Sequence, residues 1–274
     1  METVGITACS NAQKKTCSKI NNDIINYLKQ TDKKIIESKC IYEKEDGISG
    51  TGEERADELM KMFINPEITD IYDISGGDMA NEILDFLDFE KIRESNAVFW
   101  GYSDLTTVIN AIYTMTGKQS VLYQIKNMAD EEYGYIQRER YKDQKKLFAP
   151  EFKMIQGESI KGIVVGGNIR CFLKLAGTKY FPDMTDKVLL IESLGGRVPQ
   201  MITYLSQLRS LGVFDKIKGI LMGTFSTMEE ENCSPDMITL VKKFSGEDIP
   251  VAKTDEIGHG HNSKAIWIGK EVSI

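Results

Sequence analysis

Nothing in these 274 residues supplies a Cys-x-x-Cys pair, a run of basic residues, or an apolar stretch approaching the length of a membrane span. Each absence excludes something. Without paired cysteines, zinc ribbons and dithiol redox chemistry lose their usual ligands. The five scattered thiols, Cys9, Cys17, Cys40, Cys171 and Cys233, are odd in number and read as the reduced cysteines of a cytosolic protein. Without a basic tract, the net charge of -7 is not offset locally. That argues against nucleic acid or an anionic membrane surface and leaves a small molecule or peptide as the expected ligand. The opening Met-Glu-Thr-Val-Gly-Ile has no basic segment followed by an apolar one, so the expectation is a cytoplasmic protein with no membrane contact. There is no internal repeat and no low-complexity tract. Only two histidines exist, and both fall in one turn, Gly258-His259-Gly260-His261.

What is present is ordinary for a globular chain: 41% hydrophobic and 27% charged residues, at a length comfortable for two domains. Apolar runs at residues 4–8, 35–36, 68–75, 97–100 and 119–123 read as strands. Between most of them lie helical spacings such as Leu105, Val108, Ile109, Ile112. A second alternating unit begins at Ile160, with strands at 163–165, 187–191 and 217–222, the first followed by a turn at Gly166-Gly167-Asn168. Strand and helix in alternation predict an α/β protein: an N-terminal doubly wound, mainly parallel sheet over residues 1–125 and a smaller α/β domain over 161–274. Residues 126–160, rich in charge, read as a linker or surface excursion, with Tyr133, Tyr135 and Tyr141 suggesting that it packs on something.

Three places could carry chemistry. The stretch 96–107, Asn-Ala-Val-Phe-Trp-Gly-Tyr-Ser-Asp-Leu-Thr-Thr, takes a buried strand through a tight turn into a helix. Such a turn pushes its side chain out at the end of the sheet and aims the next amide, with the helix N-terminus, at any anion there. Ser103 is thus a candidate nucleophile and the Asp104 amide a candidate oxyanion donor. Taken alone, a serine there is more often an N-cap, and Leu105 stands where the hydrolase elbow Gly-x-Ser-x-Gly has its second glycine. Glu192 ends an apolar strand, as the first solvated residue or as a placed carboxylate. The His-x-His turn offers an unobstructed base, two zinc ligands lacking further partners, or an incidental surface pair. Ser103, Glu192 and His259 are together the three types a serine hydrolase needs. Two glycine-rich stretches read as backbone devices. Residues 47–55 lack the Gly-Lys-Ser/Thr ending of a phosphate loop, and Thr51 and Glu54 have capping-box spacing. Gly76-Gly77 ends the third strand before a helix expected over 79–87.

The segments Glu54-Arg55-Ala56-Asp57-Glu58-Leu59, Ile74-Ser75-Gly76-Gly77, Gly101-Tyr102-Ser103-Asp104-Leu105-Thr106, Gly166-Gly167-Asn168, Gly177-Thr178, Leu189-Leu190-Ile191-Glu192, residues 219–223 and Gly258-His259 follow one another in a familiar order. Over nearly its whole length the chain resembles the LD-carboxypeptidases, serine peptidases that share fold and triad with the microcin C immunity peptidases. The resemblance implies Ser103 as nucleophile, His259 as general base and then acid, and Glu192 as the carboxylate that orients it. It also implies an oxyanion hole from the amides of Gly77 and Asp104, a site between the two domains, no metal or cofactor, and, by analogy, a homodimer. His261 would be a neighbour of the site rather than part of it. The implied reaction releases terminal D-alanine from murein tetrapeptides in peptidoglycan recycling; the alternatives are cleavage of aminoacyl- or peptidyl-nucleotide conjugates, or a non-catalytic ligand-binding relative. Gly76-Gly77-Asp78-Met79 stands where many members read Gly-Gly-Tyr-Gly, and Gln124-Ile125-Lys126 replaces a common Gly-Pro; both segments line the family's cleft. Gly76 and Asp78 are therefore candidate substrate contacts, Asp78 either favouring a cationic group or capping the next helix.

Overall fold

Apolar runs without alternation suit strands buried on both faces, and such runs form the interiors of two sheets in this structure, a computed structural model that describes residues 2–274. Among the described residues the strands are β1 (Glu2–Thr7), β2 (Lys33–Glu37), β3 (Ile68–Asp73), β4 (Val98–Gly101), β5 (Ser120–Leu122), β6 (Lys153–Gln156), β7 (Lys161–Asn168), β8 (Lys187–Ser193), β9 (Gly219–Phe225), β10 (Val251–Lys253), β11 (Ile266–Ile268) and β12 (Glu271–Ser273). The first sheet runs β2-β1-β3-β4-β5, all parallel, with β11 added antiparallel at the β5 edge. In the second, β7-β8-β9-β10 are parallel and β12 and β6 close the edges antiparallel. The chain is thus a two-domain α/β protein. The order of the first sheet reverses direction at β1 and β3, and the loops leaving such a switch point are where open parallel sheets bind ligands.

Helices cover the sheets where the 3.6 spacing said they would, and one cap was legible in detail. Thr51 accepts from Glu54 N at 3.1 Å while Glu54 Oε2 accepts from Thr51 N at 2.8 Å, the reciprocal capping box of helix Gly52–Ile64. Four expectations change. Residues 79–87 are a tighter 3₁₀ segment, Ala80–Phe86, opened by a bond from Glu82 N to Met79 O (3.0 Å), with the Ala80 amide, an orphan donor of the first turn, satisfied by the Asp104 carboxylate (2.8 Å). Asp78 does not cap that segment; Met79 sits at the N-cap, and the Asp78 carboxylate pairs instead with Arg170. Gly166-Gly167-Asn168 is no turn but the end of β7, in register with Leu190, Ile191 and Glu192 of β8. Residues 126–160 hold helices Gly134–Lys142 and Gln144–Leu147 as well as β6. Tyr141 and Leu147 are buried in the same cluster as Val4 and Trp100, with the Tyr141 and Tyr72 hydroxyls 2.5 Å apart, so apolar burial holds this segment against the first sheet despite its charge.

Two features fix the frame of the site. Arg55 has a fully buried side chain that donates to the carbonyls of Gly50 (3.3 Å) and Cys9 (2.5 Å) and to Glu82, tying helix Gly52–Ile64 to the loop after β1. Arg55→Met leaves those buried carbonyls without donors and is expected to cost about 2–4 kcal/mol in urea unfolding; a loss under about 1 kcal/mol would show that the network contributes little. The second feature joins the halves. Asn110, buried on helix Thr106–Thr116, accepts from Gly166 N (2.8 Å) and donates to Gly166 O (2.9 Å), while Asn168 N donates to Thr106 Oγ1 (3.0 Å). Leu105, Val108 and Ile109 share one apolar cluster with Val164 and Leu190 of the second sheet, all of them fully buried. At about 1.5–3 kcal/mol per buried side chain, the halves are held in one arrangement.

Candidate active site

The nucleophile candidate sits where strand meets helix under strain. Ser103 has φ 53°, a left-handed conformation that costs a non-glycine residue about 1–3 kcal/mol and that tends to persist where function needs it. Nor is Ser103 a cap: the N-cap positions of its 3₁₀ turn and of the following helix are Tyr102 and Leu105, neither making a side-chain cap bond. Leu105, out of place in the glycine-rich elbow pattern, is accommodated because the close approach is taken up at Gly101, where an added Cβ would come 2.6 Å from Leu105 Cβ.

Behind and across from Ser103 stand the candidate acid and base. Glu192 leaves β8 fully buried, placed by the β7 register with Asn168 and so by the contact of Asn168 with Thr106, three residues past Ser103. The loop carrying His259 is pressed onto the end of β9. Thr224 N donates to Ile257 O at 2.8 Å, and an added Cβ on Gly258 would strike Thr224, on Gly223 the Ile257 carbonyl. These glycines let the imidazole come within reach of the carboxylate: His259 Nδ1 lies 2.9 Å from Glu192 Oε2. The approach is off the line of a well-formed hydrogen bond, and His259 Nε2, Glu192 Oε1 and the Tyr102 hydroxyl are buried without a hydrogen-bond partner among the described residues. Buried polar atoms are normally satisfied, and catalytic contacts often tighten only when substrate arrives. Tyr102 packs edge-on against the imidazole, ring centroids 4.9 Å apart. Burial, and then the Glu192 charge beside it, push its phenol well above the usual range, so Tyr102 stays protonated and able to donate to that carboxylate.

Ser103, His259, Gly76 and Gly77 line one cleft of about 250 Å³. Gly77 has φ 131°, and an added Cβ would run into Asn11, whose Oδ1 accepts from Asp78 N at 2.9 Å. The Asp104 side chain turns inward, fully buried, accepting from Ser10 Oγ (2.6 Å), Ala80 N (2.8 Å) and Lys174 Nζ (2.5 Å). That anchoring fixes the backbone amide that follows Ser103. Asp78 does not line the cleft; Arg170, which also donates to Gly77 O at 2.9 Å, holds its carboxyl below the ordinary range. His261 stacks on Tyr133 with centroids 3.7 Å apart. Cys9, also near the cleft, is an unsuitable nucleophile, since burial and then Asp73 push its thiol well above the usual range. Among the described residues no group of three or more His, Cys, Asp and Glu could hold a metal ion.

Gly77→Ala and Gly76→Ala separate the backbone's part in this. At Gly76 no atom lies within 4 Å of an added Cβ and activity should hold; at Gly77 the clash with Asn11 displaces the amide, with an expected fall in kcat of about 100- to 1,000-fold and little change in KM. Equal effects of the two substitutions would count against a donor at Gly77. Sequence reasoning missed Tyr102, Thr106 and Asn110. Their role is legible only once β7 is beside helix Thr106–Thr116, although Tyr102 stood inside the motif that singled out its neighbour.

Residues 4–124 match the model of the LD-carboxypeptidase N-terminal domain and residues 161–274 that of the C-terminal domain. The chain is 25% identical over 289 aligned residues to the microcin C7 self-immunity protein MccF of Escherichia coli, covering 91% of this chain and 83% of that protein. It is 26% identical over 247 residues to the probable murein peptide carboxypeptidase of Bacillus subtilis, covering 83% and 75%. Among solved structures, MccF in complex with glutamyl sulfamoyl guanosine superposes with a TM-score of 0.88 at 22% identity, covering 100% of this chain and 92% of that one. A muramoyltetrapeptide carboxypeptidase from Oxalobacter formigenes superposes at 0.81 and 20% identity, covering 99% and 94%. At those identities the superpositions speak for the fold.

Proposed function

The chain belongs to the LD-carboxypeptidase family, and from that premise we propose that it is a serine carboxypeptidase hydrolysing the L,D-peptide bond that holds the terminal D-alanine of murein tetrapeptides. The observation that carries the reading is the strained Ser103 sharing one cleft with a histidine whose Nδ1 is 2.9 Å from the buried Glu192. Ser103 Oγ attacks the carbonyl carbon as His259 Nε2 takes its proton, and the amides of Asp104 and Gly77 hold the oxyanion. The C–N bond breaks, His259 returns the proton to the leaving amine, and D-alanine departs. Water then cleaves the acyl-enzyme, with His259 again base and acid. Glu192 keeps the imidazole in the tautomer whose Nε2 can accept.

The second reading, cleavage of aminoacyl- or peptidyl-nucleotide conjugates, is favoured by the similarity to the self-immunity protein over 91% of the chain. Turnover of a murein tetrapeptide beside an aminoacyl-sulfamoyl nucleoside decides the matter, and turnover of the second alone overturns the first reading. Reaction of a fluorophosphonate with wild type and not with Ser103→Ala tests the serine mechanism separately. Labelling of both alike would mean that a nucleophile other than Ser103 reacts, and labelling of neither a binding protein that keeps the fold.

A further inference from the structure

A carboxypeptidase has to find a chain end. The terminal carboxylate lies one residue past the scissile bond, about 3.8 Å of backbone, so whatever reads it must line the same small cleft as Ser103. The cations nearest the Gly77 loop are held by partners of their own. Arg170 pairs with Asp78 and donates to Gly77 O, and Lys174 donates to Asp104 Oδ1 (2.5 Å) and Asp78 O (2.7 Å). Of the carboxylates, Asp73 lines the cleft but is committed to the loops: its Oδ1 accepts from Ser75 N (2.7 Å) and Oγ (2.5 Å), its Oδ2 from Cys9 N (2.7 Å).

Lys126 is the lysine in the lining. Its ammonium donates to Gln13 Oε1 at 2.5 Å, and Gln13 is itself buried and fixed, its backbone N donating to Ile41 O at 2.8 Å and its Nε2 to Asn11 O at 3.4 Å. Lys126 follows β5 and Gln13 follows β1, the strands on the two sides of β4 and β3. The pair therefore bridges above the strand ends that carry Ser103 and Gly77. An ammonium has three donors and can hold the Gln13 amide and an incoming carboxylate together, the second by a charge-assisted bond.

We propose that Lys126, braced by Gln13, reads the free C-terminal carboxylate of the peptide whose last bond Ser103 cleaves. This rests on the carboxypeptidase reading and adds to it a positioning and specificity contact made by Lys126, in the segment Gln124-Ile125-Lys126. Lys126 takes no part in bond making; it holds the leaving residue so that its amide carbonyl meets Ser103.

The test is binding, which needs no turnover. In a Ser103→Ala background, calorimetry compares a murein tetrapeptide ending in D-alanine with the same peptide as its C-terminal carboxamide. The acid should bind about 10- to 100-fold more tightly, the range expected for a hydrogen bond between charged groups. Lys126→Met should remove that preference by weakening acid binding alone, and Lys126→Arg should restore most of it. With Ser103 intact, Lys126→Met should raise KM for the acid while kcat changes only a few-fold. An acid-to-amide ratio unchanged by Lys126→Met, equal affinities in the Lys126 protein, or no measurable affinity for either peptide each overturns the proposal. The carboxypeptidase reading fails by a different measurement, fluorophosphonate labelling that does not depend on Ser103.

Discussion

Ser103→Ala is expected to lower kcat by about 10⁴- to 10⁶-fold and to abolish fluorophosphonate labelling, with peptide affinity and thermal stability nearly unchanged. The size of the effect follows from what the side chain is. Among the described residues no other hydroxyl shares its left-handed backbone on a turn that opens into the cleft beside His259. Ser10, Ser75 and Thr106, the nearby alternatives, have their oxygens engaged with Asp104, Asp73 and Asn168. The φ of 53° remains in the alanine variant, so the backbone strain and with it the stability should change little. Residual activity within about 100-fold of wild type would remove Ser103 from the mechanism.

Glu192→Gln should cost about 10⁴-fold in kcat while leaving the fold intact. The side chain is fully buried, and its Oε2 is 2.9 Å from His259 Nδ1. A carboxylate there can only accept, which places the imidazole proton on Nδ1 and leaves Nε2 free to take a proton from Ser103. An amide of the same shape can turn its NH₂ toward Nδ1 and favour the other tautomer, in which Nε2 already carries a proton and cannot act as a base. Binding of the tetrapeptide in the same variant should be little affected, because Glu192 sits behind the histidine and not in the lining of the cleft. A loss below tenfold in kcat would mean that something other than Glu192 orients the ring, and the Tyr102 hydroxyl beside the carboxylate would then be the next group to remove.

Several features were legible in the residues for reasons that are local. The capping box of Thr51 and Glu54 is a three-residue spacing, and it forms as read. The Ala97 to Trp100 run reads as a strand because it is short and apolar and runs into a turn, and the structure has β4 at Val98–Gly101. Where local reasoning failed, a distant partner had taken over. Gly166-Gly167-Asn168 has the composition of a turn, yet Asn110, far earlier in the chain, takes both hydrogen bonds of Gly166 and the strand continues to Asn168. Asp78 looks like a helix cap until Arg170 captures it. Residues 126–160 read as a linker or excursion with tyrosines that pack on something, and what they pack on is the first sheet, through Tyr141 and Leu147.

The sequence by itself determined the alternation of strands and helices, the absence of a nucleic-acid or metal signature, and the three residue types around which a hydrolase could be built. These follow from composition and from spacings of two to four residues, which set burial and backbone geometry without reference to the rest of the chain. Only the tertiary structure decided that Glu192 and His259 are in contact, that Asp104 faces inward to hold its own amide, and that Lys126 is braced by Gln13 at the edge of the cleft. Contacts between residues so far apart depend on the order and register of the strands. That order is set by burial shared across the whole core, where Leu105 and Leu190 belong to one cluster, and no short window of sequence contains it.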